Sequence, residues 1–149
     1  GKLQTTLMDE AKKHGLLNLR VFFCDGVSQE DLPHWTSGAT IGIIPYENTC
    51  LNHFYCTPNK LWEYTLAGVP ILASPFPEIK KIISQEVGWL LEDPVSDRNI
   101  SEVINGLSDE AIQMAKNKTK EFIENDNWSK YEKKLLALYN SFSPTGHAI

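Results

Sequence analysis

Four short apolar runs, interspersed with segments of helical spacing, predict an α/β fold: a Rossmann-like parallel sheet flanked by helices. The runs cover residues 19–24, 40–44, 69–73 and 88–91, each of strand length and each bounded by glycine, proline or aspartate. A third observation is the run from Cys56 to Ser74, which packs a turn, a helix, a glycine stop and a buried strand into one continuous stretch. The rest of the chain is arranged to hold it.

In that stretch Thr57 is a suitable N-cap, Pro58 suits a first helical position because its missing N–H has no intrahelical partner, and Gly68 supplies a left-handed stop. A helix is expected from about residue 58 to 67. The apolar run at 69–73 follows as a strand buried on both faces, with Pro70 confined to its start. Such a loop, helix and strand aim free backbone N–H groups at the space above the sheet, a place that attracts phosphate.

In chain order, Leu3, Leu7, Met8 and Ala11 recur at helical spacing and His14-Gly15 ends that first helix. Residues 19–24 form the first strand and break at Asp25-Gly26. Ser28 is expected to cap a short helix running through Trp35, with Glu30 and Asp31 in its first turn. The strand at 40–44 is closed by Pro45, and residues 46–56 make a loop longer than such connections usually are. After the organising stretch come a short helix at 77–84, a fourth strand at 88–91, a helix at 97–107 and a long polar-faced helix at 109–125. The last helix carries an apolar stripe of Trp128, Tyr131, Leu135, Leu138 and Phe142. One domain is expected over residues 1–142, and disorder over 143–149. In a parallel sheet of this kind ligands sit beyond the carboxyl ends of the strands.

The 149 residues are 42% apolar and 22% charged, the profile of an ordinary globular protein, and the net charge of −5 argues against nucleic-acid or polybasic membrane binding. Cys24, Cys50 and Cys56 are an odd number without a CxxC pair, which favours a reduced, cytoplasmic setting over a disulfide framework. No apolar run approaches the roughly 20 residues a bilayer crossing needs, and the N-terminus lacks a signal-peptide hydrophobic region. The sequons at Asn99, Asn117 and Asn127 fall in expected helices and are read as chance.

The candidate site follows from spacing. Glu63 lies roughly 8 Å along the helix axis from the free N–H groups near Asn59, about the separation between a diphosphate and the far side of its ribose. A carboxylate there accepts two hydrogen bonds from vicinal hydroxyls. The competing reading is a solvated glutamate, because Lys60, Glu63 and Ala67 share a face away from the stripe of Leu61, Trp62 and Leu66. The turn through Thr57, Pro58, Asn59 and Lys60 is the anion candidate. Thr57 capping the Lys60 N–H and the missing donor of Pro58 leave fewer backbone donors than a glycine-rich turn has, for which the Asn59 side chain or the Lys60 ammonium compensates. Asp25, Gly26 and Val27 either present backbone groups to the edge of a base or form an ordinary turn. His14, His34 and His53 lack metal-ligand spacing, and there is no zinc cluster, GxSxG, Walker loop or GxGxxG. No catalytic side chain and no metal are assigned. Trp89 and Trp128 are expected in the core.

Residues 21–27 (VFFCDGV), Ile43-Ile-Pro-Tyr46, residues 57–74 (TPNKLWEYTLAGVPILAS), residues 88–91 (GWLL) and the late Trp128 together resemble the C-terminal, donor-binding domain of GT-B-fold glycosyltransferases of the family-four type. The likeness spans nearly the whole chain, and the Pro-Asn-Lys…Glu-Tyr…Ala-Gly-Val-Pro segment is its most specific part. It implies a retaining hexosyltransferase that moves a sugar from a nucleotide diphosphate carrier to a carbohydrate or lipid-linked acceptor, as in polysaccharide biosynthesis. By position, Glu63 is similar to the family glutamate that holds the donor ribose. The turn from Thr57 to Asn59 is similar to the one facing the diphosphate, and Asp25 to Val27 to the segment meeting the base. Two departures stand out. Tyr55 occupies the place of a second family glutamate near the sugar, and the family's basic Arg/Lys pair would fall before Gly1.

The resemblance further implies that an N-terminal acceptor domain is missing, so that this piece alone is inactive. The four strands would match the last four of a 3-2-1-4-5-6 sheet, leaving the strands at residues 21 and 41 without their shared neighbour. The full-length protein is expected at a membrane surface, and this piece is expected to self-associate through its last helix. The alternatives are a non-catalytic nucleotide-binding or interaction module and a nucleotide-sugar epimerase of the same fold.

Overall fold

A computed structural model describes residues 2–142, so the disorder expected over 143–149 lies outside the described residues. The chain divides into two compact units, residues 1–31 and 32–149.

In the first unit, α1 (Gln4–Lys13) ends as its spacing predicts, with His14 at the C-cap and Gly15 at φ +67°. The strand expected at 19–24 does not form. The chain instead closes on itself, the carbonyl of Leu16 accepting from the N–H groups of Leu19, Arg20 and Val21 at 3.1, 2.9 and 3.0 Å. Only an isolated bridge between Leu17 and Val21 remains. The β-forming composition of this run is real, but a strand exists only through a ladder with a neighbour, and a tight turn uses the local carbonyl instead.

In the second unit, α2 (Leu32–Ser37) starts later than expected. Ser28 donates to the Asp31 carboxylate at 2.7 Å and accepts from the Asp31 N–H at 3.1 Å, which closes a turn rather than opening a helix. The strands β1 (Gly42–Ile44), β2 (Ile71–Ala73) and β3 (Gly88–Leu90) form a parallel sheet in the order β1-β2-β3. Every residue of the central β2 is buried, as its apolar run predicts. Pro70 precedes β2, where its carbonyl accepts from the Gly42 N–H at 2.9 Å and its missing donor is not needed. Helices flank this sheet: α3 (Leu51–Tyr55), α4 (Asn59–Leu66), α5 (Pro77–Ile83), α6 (Asp97–Gly106) and α7 (Asp109–Asn125), followed by α8 (Trp128–Phe142). The 46–56 loop is therefore interrupted by α3.

Helix α4 is the organising helix, with its start corrected. Pro58 is its N-cap, and no side chain caps it, so Thr57 does not take the role expected of it. The helix ends in a Schellman arrangement: Gly68 at φ +70° donates to the Thr65 carbonyl at 3.0 Å and Val69 to that of Tyr64 at 2.9 Å. Leu61 and Thr65, one turn apart, are fully buried, whereas Leu66 is 63% exposed. Five residues turn a helix through about 140° from Leu61, which carries Leu66 off the sheet face. The Tyr64 ring lies over the backbone of Gly42, where a methyl group would stand 2.4 Å from the nearest ring carbon.

The core joins Ile44, Leu61, Ile71, Phe76, Ile79 and Val87. Trp62 of α4 stacks with Phe122 of α7, ring centroids 6.1 Å apart. Ser96 and Ser108 cap α6 and α7 by accepting from the N–H groups of Asn99 and Ala111 at 3.1 and 3.2 Å. Trp89 is half-buried, but Trp128, expected in the core, is 68% exposed. The reason is local. Asp126 leaves helical geometry at φ −137° and ψ 83°, and α8 beyond it contains no buried residue.

Candidate functional site

Parallel strands point their carboxyl ends the same way, so the segments after β1, β2 and β3 gather at one edge of the sheet, and the N-termini of α4, α5 and α6 start there. This edge is well fastened. Ser74, fully buried just after β2, donates its hydroxyl toward the Tyr46 carbonyl at 2.6 Å and the Ile44 carbonyl at 3.3 Å, while its N–H donates to Ile44 at 3.1 Å. The buried Asn99 of α6 accepts from the Glu92 N–H at 2.8 Å and so holds the segment after β3. Replacing Ser74 with Ala leaves the Tyr46 carbonyl without its partner, and we expect a loss of about 1–2 kcal/mol in chemical denaturation.

The segment after β1 reaches α4 through α3. Phe54 packs against Phe76 with ring centroids 5.4 Å apart, which ties α3 to the core. His53 lies 5.6 Å from the Tyr46 ring, and its Nδ1 is 2.9 Å from the Thr49 hydroxyl. Tyr55, 59% exposed, stands on α3.

Of the residues singled out by sequence, Thr57, Pro58, Asn59, Lys60 and Glu63 lie on one continuous segment opening at this edge. Pro58 is buried; Thr57, Asn59 and Lys60 are exposed; Glu63 is half-buried. The absence of a side-chain cap on α4 leaves its first N–H groups more available to an anion than a capping Thr57 would. Lys60 enters none of the ion pairs found among the described residues. Asp25, Gly26 and Val27 are exposed, outside any strand or helix, and belong to the first unit rather than the second.

No family model, curated protein or solved structure matches this chain.

Two grooves give the site its surroundings. A 260 Å³ groove at the carboxyl edge is lined by Glu47, Asn48 and Thr49 after β1 and by Asp93, Pro94 and Val95 after β3. Sequence reasoning passed over these residues; the length of the 46–56 loop was the only signal in their favour. A larger groove, 680 Å³, lies at the opposite edge between the end of α5 and the second half of α7. Its charges are already matched: Lys118 stands 3.0 Å from Glu121 and 3.8 Å from Glu86, and the Tyr131 hydroxyl donates to Asp126 at 2.6 Å. The Tyr131 phenol is held above its ordinary range by that hydrogen bond and by the Asp126 charge, and Lys118 is likewise raised, chiefly by its bond to Glu121. Among the described residues no group of three His, Cys, Asp or Glu side chains is placed to hold a metal, the three cysteines are free thiols, and no helix is long and apolar enough to cross a membrane.

Proposed function

We propose that this chain is the donor-binding part of a retaining glycosyltransferase, one that moves a sugar from a nucleotide diphosphate carrier to a carbohydrate or lipid-linked acceptor. The observation that supports it is the arrangement on α4: a helix start without a side-chain cap at the carboxyl edge of a parallel sheet, followed four residues on by the half-buried Glu63. In this reading the diphosphate sits against the N–H groups at Asn59 and Lys60, with the Lys60 ammonium as its cation. The Glu63 carboxylate accepts hydrogen bonds from the two ribose hydroxyls, which fixes the register of the nucleotide on the helix. The groove lined by Glu47, Asn48, Thr49 and Asp93 repels an anion but offers acceptors and donors suited to sugar hydroxyls. Rate enhancement then rests on stabilising the departing diphosphate and on positioning, with no side-chain nucleophile. The acceptor domain belongs to a longer polypeptide of which this chain is a piece.

Calorimetric titration with UDP and GDP tests the reading. Glu63→Ala is expected to weaken binding of the preferred nucleotide by roughly 10- to 100-fold, the worth of hydrogen bonds to a charged group, and Glu63→Gln by less. Equal affinities in the three proteins contradict it.

A second reading, a non-catalytic nucleotide-binding module, draws on Tyr55, which stands where the resembling family often has a second glutamate. Nucleotide binding without sugar transfer, measured on the longer polypeptide with its acceptor domain, would favour it.

A further inference from the structure

Helix α8 has no buried residue among its 15, and every large apolar side chain on it is between 42% and 73% exposed. A single helix of this length is marginal in water on propensity alone. Its side chains Trp128, Tyr131, Leu135, Leu138 and Phe142 recur at alternating steps of three and four, the seam of a two-stranded coiled coil. The four aromatic residues of α8 leave on the order of 500 Å² in water. The two seam leucines, Leu135 and Leu138, bring the exposed apolar surface toward the roughly 800 Å² that each partner contributes to a standard stable interface. At the base of the helix an apolar groove of 480 Å³ opens between Trp62, Leu66, Ile123, Trp128 and Tyr131.

We propose that α8 pairs antiparallel with α8 of a second copy of this chain, each Phe142 entering the groove at the base of the other helix. The seam is self-complementary in this direction. With Phe142 placed on the partner's Tyr131, Leu138 falls on the partner's Leu135, and the two-fold axis repeats both contacts. Lys134 and Glu132 then stand opposite the uncharged Tyr139 and Ser141, so no like charges meet across the pair. The helix dipoles oppose, and a parallel pairing would instead stack two Trp128 rings and leave both grooves empty.

Sedimentation equilibrium on the full 149-residue chain tests this. The expected mass is twice the 16.8 kDa of one chain, falling to a single mass on dilution. Leu135→Glu with Leu138→Glu should give a monomer at all concentrations while the second unit keeps its cooperative unfolding, because neither leucine is buried in the chain's own core. A wild-type chain that remains monomeric at millimolar concentration overturns the proposal, and so does a double variant that still dimerises. The direction of pairing has its own readout. Phe142→Ala and the groove variant Leu66→Ala should each weaken dimerisation roughly tenfold, and together by clearly less than the product, because they remove one contact. Multiplying effects would refute the antiparallel register.

Discussion

Gly88→Ala is expected to lower the unfolding free energy by about 3 kcal/mol or more, the upper end of what overpacking costs. β3 begins at Gly88, paired with Ile71 of the central strand. A methyl group built there lies 1.9 Å from the Ile71 carbonyl oxygen and 2.7 Å from the Ile71 N and C atoms. All three are backbone atoms of the most buried strand, so no side chain can swing away; the two strands must part or β3 must slip. The carbonyl of Val87 next to it accepts from the Ile71 N–H at 3.0 Å and is also approached by the buried Thr119 hydroxyl of α7 at 3.5 Å, so the displacement reaches the helix layer. Gly106→Ala is the control. It ends α6 with nothing within 4 Å, and there the extra methyl should raise stability by about 0.5 kcal/mol through helix propensity. Urea denaturation of both variants checks the pair, and a Gly88→Ala protein as stable as wild type would mean the strands do not approach this closely.

Phe76→Ala should cost about 4 kcal/mol. Phe76 is 1% exposed, the largest of the fully buried side chains, and it does two jobs. It stands at the N-cap position of α5, where its buried side chain fills the core, and its ring receives Phe54 of α3. Removing it opens a cavity under the carboxyl edge and frees the segment that leads from β1 to α4. Against a typical total of about 5–15 kcal/mol this leaves a marginal protein. Phe76→Leu, which keeps most of the volume, should lose far less. Thermal unfolding followed by near-ultraviolet circular dichroism distinguishes the two, and equal losses would show that the aromatic contact with Phe54, rather than the filled volume, carries the stabilisation.

Where the sequence was legible, local chemistry and tertiary packing agreed. Gly68 forces a left-handed residue and α4 ends there; Ser96 and Ser108 cap the helices they precede; the uninterrupted apolar run of β2 is the buried centre of the sheet. Where it misled, a second interaction won. Thr57 has the right chemistry for a cap, but the cap position falls one residue later, on Pro58, and the helix starts at Asn59. Leu66 looks like core until the 100° step of the helix is followed from Leu61. The aromatic run at residues 21–23 has every propensity for a strand, but strands are made by neighbours, and here the isolated bridge from Val21 to Leu17 is the only pairing among the described residues. The geometry of the candidate site was partly legible for the same reason: the segment from Thr57 to Glu63 is local, whereas the groove between Glu47 and Asp93 depends on how β1 and β3 flank β2, which no local pattern states.

The central claim is that the start of α4 and Glu63 grip a nucleoside diphosphate. Amide chemical shifts of the isotope-labelled chain, followed while UDP or GDP is added, test it most directly. The account predicts that the N–H signals of Asn59, Lys60 and Glu63 move together and saturate at one affinity. Saturating shifts confined to the opposite-edge groove around Lys118 and Tyr131, or no shifts with either nucleotide, would contradict it.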